Sequence, residues 1–374
     1  MDEQGGTETQ APEGGGLQPA PAVDFNGMAG DFFLMMMGNF LLSVITLGIY
    51  RFWGKAKFRR YLWSHTALDG DALEYTGTGF ELFVGAILVI LLVSIPFGLV
   101  SVLLPILISN TEVALALTQL ILIVGIYYLV GVGQYRSWRY ILSRTSWRGI
   151  RSGMIEQGFS YGVLSFGLTL ASLFSLGLAT PWAMTKRWNR LVQDVRIGSL
   201  PMRAEAEPDL LWKPFLIAWG VVMVPLVAFG AWFFVNFGSA FGKTEPSPAD
   251  AEQLLIAIVV LYLGLLILGF VAAMFFANYQ SVYLRETFGK TWIGDGMRLR
   301  LEATAWEVIR YYLFNILLAM IPFGSLLYPF RYWNFMAQRI GIDGGYDEAA
   351  LQQSSLAAPT QGDGLVDAFD ASSF

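Results

Sequence analysis

The chain has 374 residues, of which 55% are hydrophobic and only 14% charged, with a mean hydropathy of +0.52. That balance excludes a water-soluble globule and points to an integral membrane protein. The net charge of −5 says little about partners, because much of the acid lies towards the ends; the absence of cysteine excludes a disulfide framework, a thiolate metal site and a cysteine nucleophile.

Met1 to Val23 is rich in Gly, Pro and Gln, and the first 30 residues carry no Lys or Arg. This stretch reads as a disordered tail rather than a secretory signal. Residues 344–374, polar and acidic, read as a second tail, leaving 24–343 as a single membrane domain.

Four uncharged runs are long enough to cross a bilayer, which takes about 20 apolar residues: Leu82 to Ser109, Val113 to Tyr135, Pro214 to Gly242 and Gln253 to Leu284. They read as two hairpins, turning at "SNTE" and "KTEPSPADAE". Three further apolar segments, Phe32 to Tyr50, Phe159 to Thr185 and Tyr311 to Phe330, are each interrupted: at Gly48, at Gly177 with Pro181, and at Pro322, Gly324 and Pro329. After its break each turns aromatic and basic, as in "YRFWGKAKFRRYLW", "PWAMTKRWNRLVQ" and "YPFRYWNFMAQR".

Charge decides between two arrangements. Seven full crossings would put the basic loops 136–151 and 186–213 on opposite sides, against the tendency of Lys and Arg to stay cytoplasmic. If the broken segments dip in and return, all 24 Lys and Arg except Lys243 fall at or near one face. The second arrangement is preferred, with seven crossings and inverted repeats as the alternative; both termini and the basic linkers are then cytoplasmic.

Repeats agree with it. "SWRG" at Ser146 recurs as "TWIG" at Thr291, and "WNRLVQ" at Trp188 as "WNFMAQ" at Trp333, each 145 positions on. The expected core is therefore all-α: a first broken segment and linker (24–79), then two parallel pseudo-symmetric units (80–198 and 199–343), each a transmembrane hairpin plus a broken segment. The linkers combine Thr, Gly turns and alternating apolar residues, which suggests small cytoplasmic β-hairpins.

The stretch "NFLLSVITLGIYRFWGKAKFRRYLWSHTALDG" followed by "LEYTGTGFELFVG", Asn39 to Gly85, resembles the YjgN family of bacterial inner-membrane proteins, a domain of unknown function. The resemblance implies a multi-pass protein of the bacterial inner membrane, transfers no catalytic residue, and hints at a membrane-protein partner such as a peptidase.

Candidate chemistry is sparse. His65, the single histidine, would need Asp69, Asp71 or Glu74 as companions to bind a metal, a poor ligand pattern; a structural hydrogen bond holding the Thr66 to Gly70 turn is preferred. The two "GKT" triplets, at Lys243 and Lys290, lack the first glycine of a phosphate loop. Arg51, Arg59, Arg60, Arg187 and Arg331 are candidate contacts for anionic lipid headgroups, weighed against plain interfacial anchoring. Asn39 and Asn315 stand at comparable places before the breaks and are expected to tether them, and Glu307 can pair with Arg310 at i, i+3. Gly48, Trp53, Gly70, Trp188, Asn189, Trp333 and Asn334 complete the motif residues, read as architectural.

No cofactor and no nucleic acid is expected, only the phospholipid bilayer and a possible membrane partner. No nucleophile, base and orienting group can be assembled, so transport, channel or lipid handling without a catalytic site is preferred, with a scaffold or regulator of another membrane protein as the alternative.

Overall fold

The structure is a computed structural model describing residues 18–156, 158–238, 248–347 and 351–356. Its plan follows from helical hairpins standing on paired strands. The first broken segment is α1 (Ala29–Ile45) and α2 (Arg51–Ser64), between β2 (Val23–Phe25) and β3 (Thr66–Leu68). The first long hairpin is α3 (Gly79–Leu107) and α4 (Thr111–Ser143), between β5 (Glu74–Tyr75) and β6 (Thr145–Trp147). Next come β7 (Ile150–Met154), α5 (Phe159–Phe174), α6 (Thr180–Gln193) and β8 (Val195–Ile197). The second long hairpin, α7 (Asp209–Phe237) and α8 (Pro248–Gly289), stands between β9 (Leu200–Ala204) and β10 (Thr291–Ile293). Last are β11 (Met297–Leu301), α9 (Ala305–Ala319), a 3-10 turn at Gly324–Leu327, α10 (Tyr328–Ala337) and β12 (Ile340–Tyr346).

In every case the two strands flanking a hairpin are hydrogen-bonded neighbours. Phe25 pairs with Thr66, Tyr75 with Thr145, Met154 with Val195, Ala204 with Thr291, and Leu301 with Ile340. The feet of each hairpin are therefore about 5 Å apart. At the other end of the strands tight turns join β6 to β7 and β8 to β9. The result is a nine-stranded antiparallel sheet in the order β1 (Gln18–Pro19), β12, β11, β10, β9, β8, β7, β6, β5, beside a three-stranded sheet of β2, β3 and β4 (Asp71–Ala72).

The large sheet curls. Trp147 of β6 and Tyr346 of β12 are six strands apart in its order, yet their rings lie 6.3 Å apart, and the Arg148 guanidinium donates to the Tyr346 hydroxyl. Inside the curl Trp147, Ile293, Met297, Leu299 and Tyr346 form a buried core. A sheet of this size corrects the all-α expectation: the linkers are short one by one, but long-range pairing joins them. β1 and Val23 also fall within the stretch read as an N-terminal tail, and 344–346 within the C-terminal one. Residues 351–356 dock on the sheet, with Ser199 and Gln352 bonded reciprocally through backbone and side chain. Residues 1–17, 348–350 and 357–374 of these tails lie outside the described residues.

Four helices, α3, α4, α7 and α8, are long and apolar enough to cross a membrane, which makes this a polytopic membrane protein. Their interior prolines, Pro96 and Pro105 in α3 and Pro214 and Pro225 in α7, are of the kind such helices tolerate. Thr78 caps α3 by accepting from the Glu81 amide, and Asn110 caps α4 by accepting from that of Val113. α4 and α8 continue past their apolar runs to Ser143 and Gly289, just before β6 and β10 begin.

The helix breaks lie where Gly48 and Gly177 stand. Leu47 and Gly48 have φ of 51° and 88°, Leu176 and Gly177 φ of 54° and 86°, and each glycine N–H returns to a carbonyl five residues back, on Ser43 and Ser172. This left-handed termination suits a glycine at its second position. Neighbouring hairpins then pack through small residues: a Cβ on Gly162 of α5 would run into Val132 of α4.

Candidate functional site

Three indole nitrogens bind three threonine hydroxyls. Trp63 of α2 donates to Thr145 (2.9 Å), Trp188 of α6 to Thr291 (3.1 Å) and Trp333 of α10 to Thr66 (2.7 Å). Each threonine begins a strand, and its own hydroxyl donates to the carbonyl four residues earlier in the preceding helix. Trp188 and Trp333, read as architectural, and with them Trp63, thus bolt helices to strands.

Two of those bolts frame a cavity. The Trp63 and Trp333 rings lie 4.5 Å apart, and beneath them a space of about 450 Å³ opens between α2, α4, α10 and the strands β3 and β12. Trp138, Ile141, Leu142, Leu68 and Ile342 supply much of its wall. With both indole N–H groups bonded to threonines, the rings offer carbon surface. Gln134 is the amide in the wall, and its oxygen accepts the Tyr161 hydroxyl. A smaller apolar space inside the curl, about 50 Å³, shares Leu68 and Ile342 with the cavity.

The five candidate headgroup arginines are not brought together. Arg59 is fully buried, its guanidinium donating to the Tyr75 hydroxyl at 3.3 Å, so it is a core residue and not a surface contact. Arg60 donates to the Gly77 carbonyl, and Arg187 to the Ser165 carbonyl and the Thr169 hydroxyl. Arg51 lies over the Phe52 ring. Arg331 donates to the Asn315 side-chain oxygen at 2.7 Å, with its guanidinium 4.0 Å from the Phe314 ring centre.

The other motif residues are sorted by geometry. His65 ends α2: its Nδ1 donates to the Tyr61 carbonyl (2.7 Å) and its ring stacks on Tyr61, so it braces the helix end and not the Thr66 to Gly70 turn. Asp69 and Asp71 pair with Arg148, and Glu74 accepts the Ser146 hydroxyl. The turn itself rests on Asp69 and Gly70, both with positive φ. Trp53 packs against Gly79 and Phe83. Asn189 clasps the backbone of Ala206 with both amide atoms, each at 2.9 Å.

Asn315 does tether its hairpin, its carbonyl accepting the Tyr328 hydroxyl. Asn39 does not: it is buried against Gly54 and its amide nitrogen has no hydrogen-bond partner among the described residues. Glu307 pairs with Arg339 at 3.0 Å instead of with Arg310, and forms a capping box with Thr304 at the start of α9. Hydrogen bonds from Thr304 and the Arg339 guanidinium pull the Glu307 carboxyl down to about 2. Glu307, Arg310, Arg331 and Asn334 then line one pocket between α9 and α10.

Sequence reasoning missed one polar cluster. Tyr135 of α4, fully buried, donates to Asp194 at 2.8 Å; Arg190 of α6 binds Asp194 and, at 2.9 Å, Glu156. The i, i+4 spacing of Arg190 and Asp194 was the available signal.

Four membrane-length helices and three broken hairpins, standing on one end of curled antiparallel strands around an apolar cavity, define a polytopic membrane protein with a strand-built base. The chain belongs to the family described as bacterial protein of unknown function (DUF898), whose model matches residues 20–368. It is 36% identical over 77 residues to the inner membrane protein YjgN of Salmonella typhimurium, covering 21% of this chain and 20% of that one. To the inner membrane protein YjgN of Escherichia coli K12 it is 36% identical over 69 residues, 18% of this chain and 17% of the relative. The matched stretch thus spans about a fifth of the length of these curated relatives. No solved structure matches the chain significantly.

Proposed function

We propose that the protein is a non-catalytic lipid-handling protein of the bacterial inner membrane, which holds an acyl chain of a membrane amphiphile in the cavity beneath Trp63 and Trp333. The observation that carries this reading is the cavity itself. Its volume, about 450 Å³, is within the range of small-molecule sites, about 300–1,000 Å³, and its wall is mostly hydrocarbon and indole, with Gln134 as its amide. It lies where the membrane helices meet the strands, so a chain could enter from the bilayer without crossing bulk water. Inner-membrane residence rests on the YjgN relatives, which carry that description in their names.

Topology supports the same reading. Because the strands flanking every hairpin are direct neighbours, a segment that leaves one must return to the other. The broken segments then re-enter, the four long helices alone cross, and the strands with both termini sit on the cytoplasmic side, where the Lys and Arg collect. The parallel breaks at Gly48 and Gly177, and the recurring tryptophan-to-threonine bonds, favour pseudo-symmetric units over inverted ones.

The test is native mass spectrometry of protein extracted from membranes in a mild uncharged detergent. Wild type should carry co-purified lipid, and Ala337→Phe, which fills the cavity from α10, should lose it. Equal retention by folded Ala337→Phe would reject the reading.

A further inference from the structure

The α9–α10 hairpin also holds a pocket of opposite chemistry. A space of about 220 Å³ is lined by Arg310, Arg331, Arg339, Asn334, Gln338 and Tyr311, with Glu307 as its carboxylate. That carboxylate already accepts from Thr304 and Arg339. Three guanidiniums against one carboxylate leave two positive charges in the pocket.

The donors are positioned and underused. Arg331 is fixed through its Nε on Asn315 and by its stack on Phe314, and its Nη atoms make no hydrogen bond among the described residues. The Arg339 Nε is buried with no hydrogen-bond partner among the described residues. Arg310 is exposed at the mouth. Asn334 stands 145 positions after Asn189, which spends both amide atoms on Ala206. The Asn334 oxygen instead accepts from Gln338, and its amide nitrogen bonds to nothing among the described residues.

We propose that this pocket binds a phosphoryl anion. Guanidinium forks and amide N–H groups are the donors that match tetrahedral phosphate oxygens, and two positive charges match a phosphoryl group better than a neutral polar ligand. At about 30 Å³ per water, the space holds a phosphoryl group with a few waters. The anion is the phosphate of a lipid headgroup or a free phosphate, the pocket being at the strand-side end of the hairpin, where headgroups lie in the topology proposed above. The site does not depend on the cavity: Ala337→Phe should leave phosphate binding unchanged.

The experiment uses the full chain in uncharged detergent, in two arms. The first measures the thermal shift caused by inorganic phosphate against chloride at equal ionic strength; the second compares phosphatidylglycerol with uncharged diacylglycerol by native mass spectrometry. Response in the lipid arm alone assigns a headgroup, and response to inorganic phosphate a free anion. In the responding arm Arg310→Gln should weaken binding about fivefold, as expected for one charge near the surface, and Arg331→Gln at least as much. Arg203→Gln, on the exposed sheet, should change nothing. Because Arg331 also holds Asn315, the exposed Arg310 variant keeps the test independent of folding. No response in either arm, or binding that Arg310→Gln and Arg331→Gln leave unchanged, would overturn the proposal.

Discussion

Trp333 donates its indole N–H to the hydroxyl of Thr66 at 2.7 Å, joining the last helix to the end of the first broken hairpin across 267 positions. The bond fastens α10 to the α2–β3 junction and sets one wall of the cavity. Trp333→Phe removes the donor and keeps an aromatic side chain, with a smaller ring than the indole. It should lower stability by about 0.5–1.5 kcal/mol, read as a drop in the thermal midpoint in detergent, and Trp188→Phe, which removes the same bond to Thr291, should cost a similar amount.

α4 packs closely on α5 at Gly162, where an added Cβ would run into a side-chain methyl of Val132 and the ring of Tyr128. Overpacking of this kind costs about 1–3 kcal/mol. Gly162→Val should therefore destabilise the protein clearly, while substitution of Gly167 on the same helix, which has open space around it, to Ala should be tolerated. Midpoints of the two variants side by side check the contrast.

Much of the helical layout is legible in the sequence, because apolar length and glycine breaks are local signals. Gly48 and Gly177 mark the ends of α1 and α5 through backbone geometry that needs no distant partner. The sheet is not legible in the same way. β1 and β12 are separated by nearly the whole chain, and their pairing rests on register that short strands do not encode. The repeat shows the difficulty: "SWRG" and "TWIG" align Trp147 with Trp292, whereas the strands align Thr145 with Thr291 through their pairing with Tyr75 and Ala204. Slipping by one residue turns a strand's side chains to the opposite face, and so Trp147, not Trp292, is buried in the curl. Arg59 fails for a related reason: its place in a basic run suggests water, and only the packing of α2 against β5 shows it buried under Tyr75.

Asn39 is a buried amide whose nitrogen lacks a partner among the described residues. An unmet buried donor costs about 1–3 kcal/mol, so replacing it with an apolar group of similar size should cost nothing or help. Asn39→Leu should unfold at the same midpoint as wild type or higher. A large drop would mean that the amide has a role in the α1–α2 hairpin that its surroundings do not show.

Glu307 provides a pH signature. Its folded pKa of about 2 lies below the ordinary 4.5. A depressed carboxyl contributes stability that is fully present above the ordinary value and is lost as pH falls towards about 2. The midpoint gap between wild type and Glu307→Gln should accordingly be widest above about pH 5 and narrow through pH 4 to 2. A gap that stays constant over that range would place the effect outside the carboxyl's charge.

In the proposed topology all strand linkers share one side of the membrane, because each helical hairpin returns to its own partner strand. Since the chain has no cysteine, single cysteines can be placed at Ser64, at Ser199 and, in the α3–α4 turn, at Ser109, all exposed, and challenged in intact cells with an impermeant thiol reagent. Ser109→Cys should be labelled, and Ser64→Cys and Ser199→Cys should both be protected until the cells are opened. Labelling of one of that pair and protection of the other would contradict this topology, because the segments between them would then cross the membrane an odd number of times.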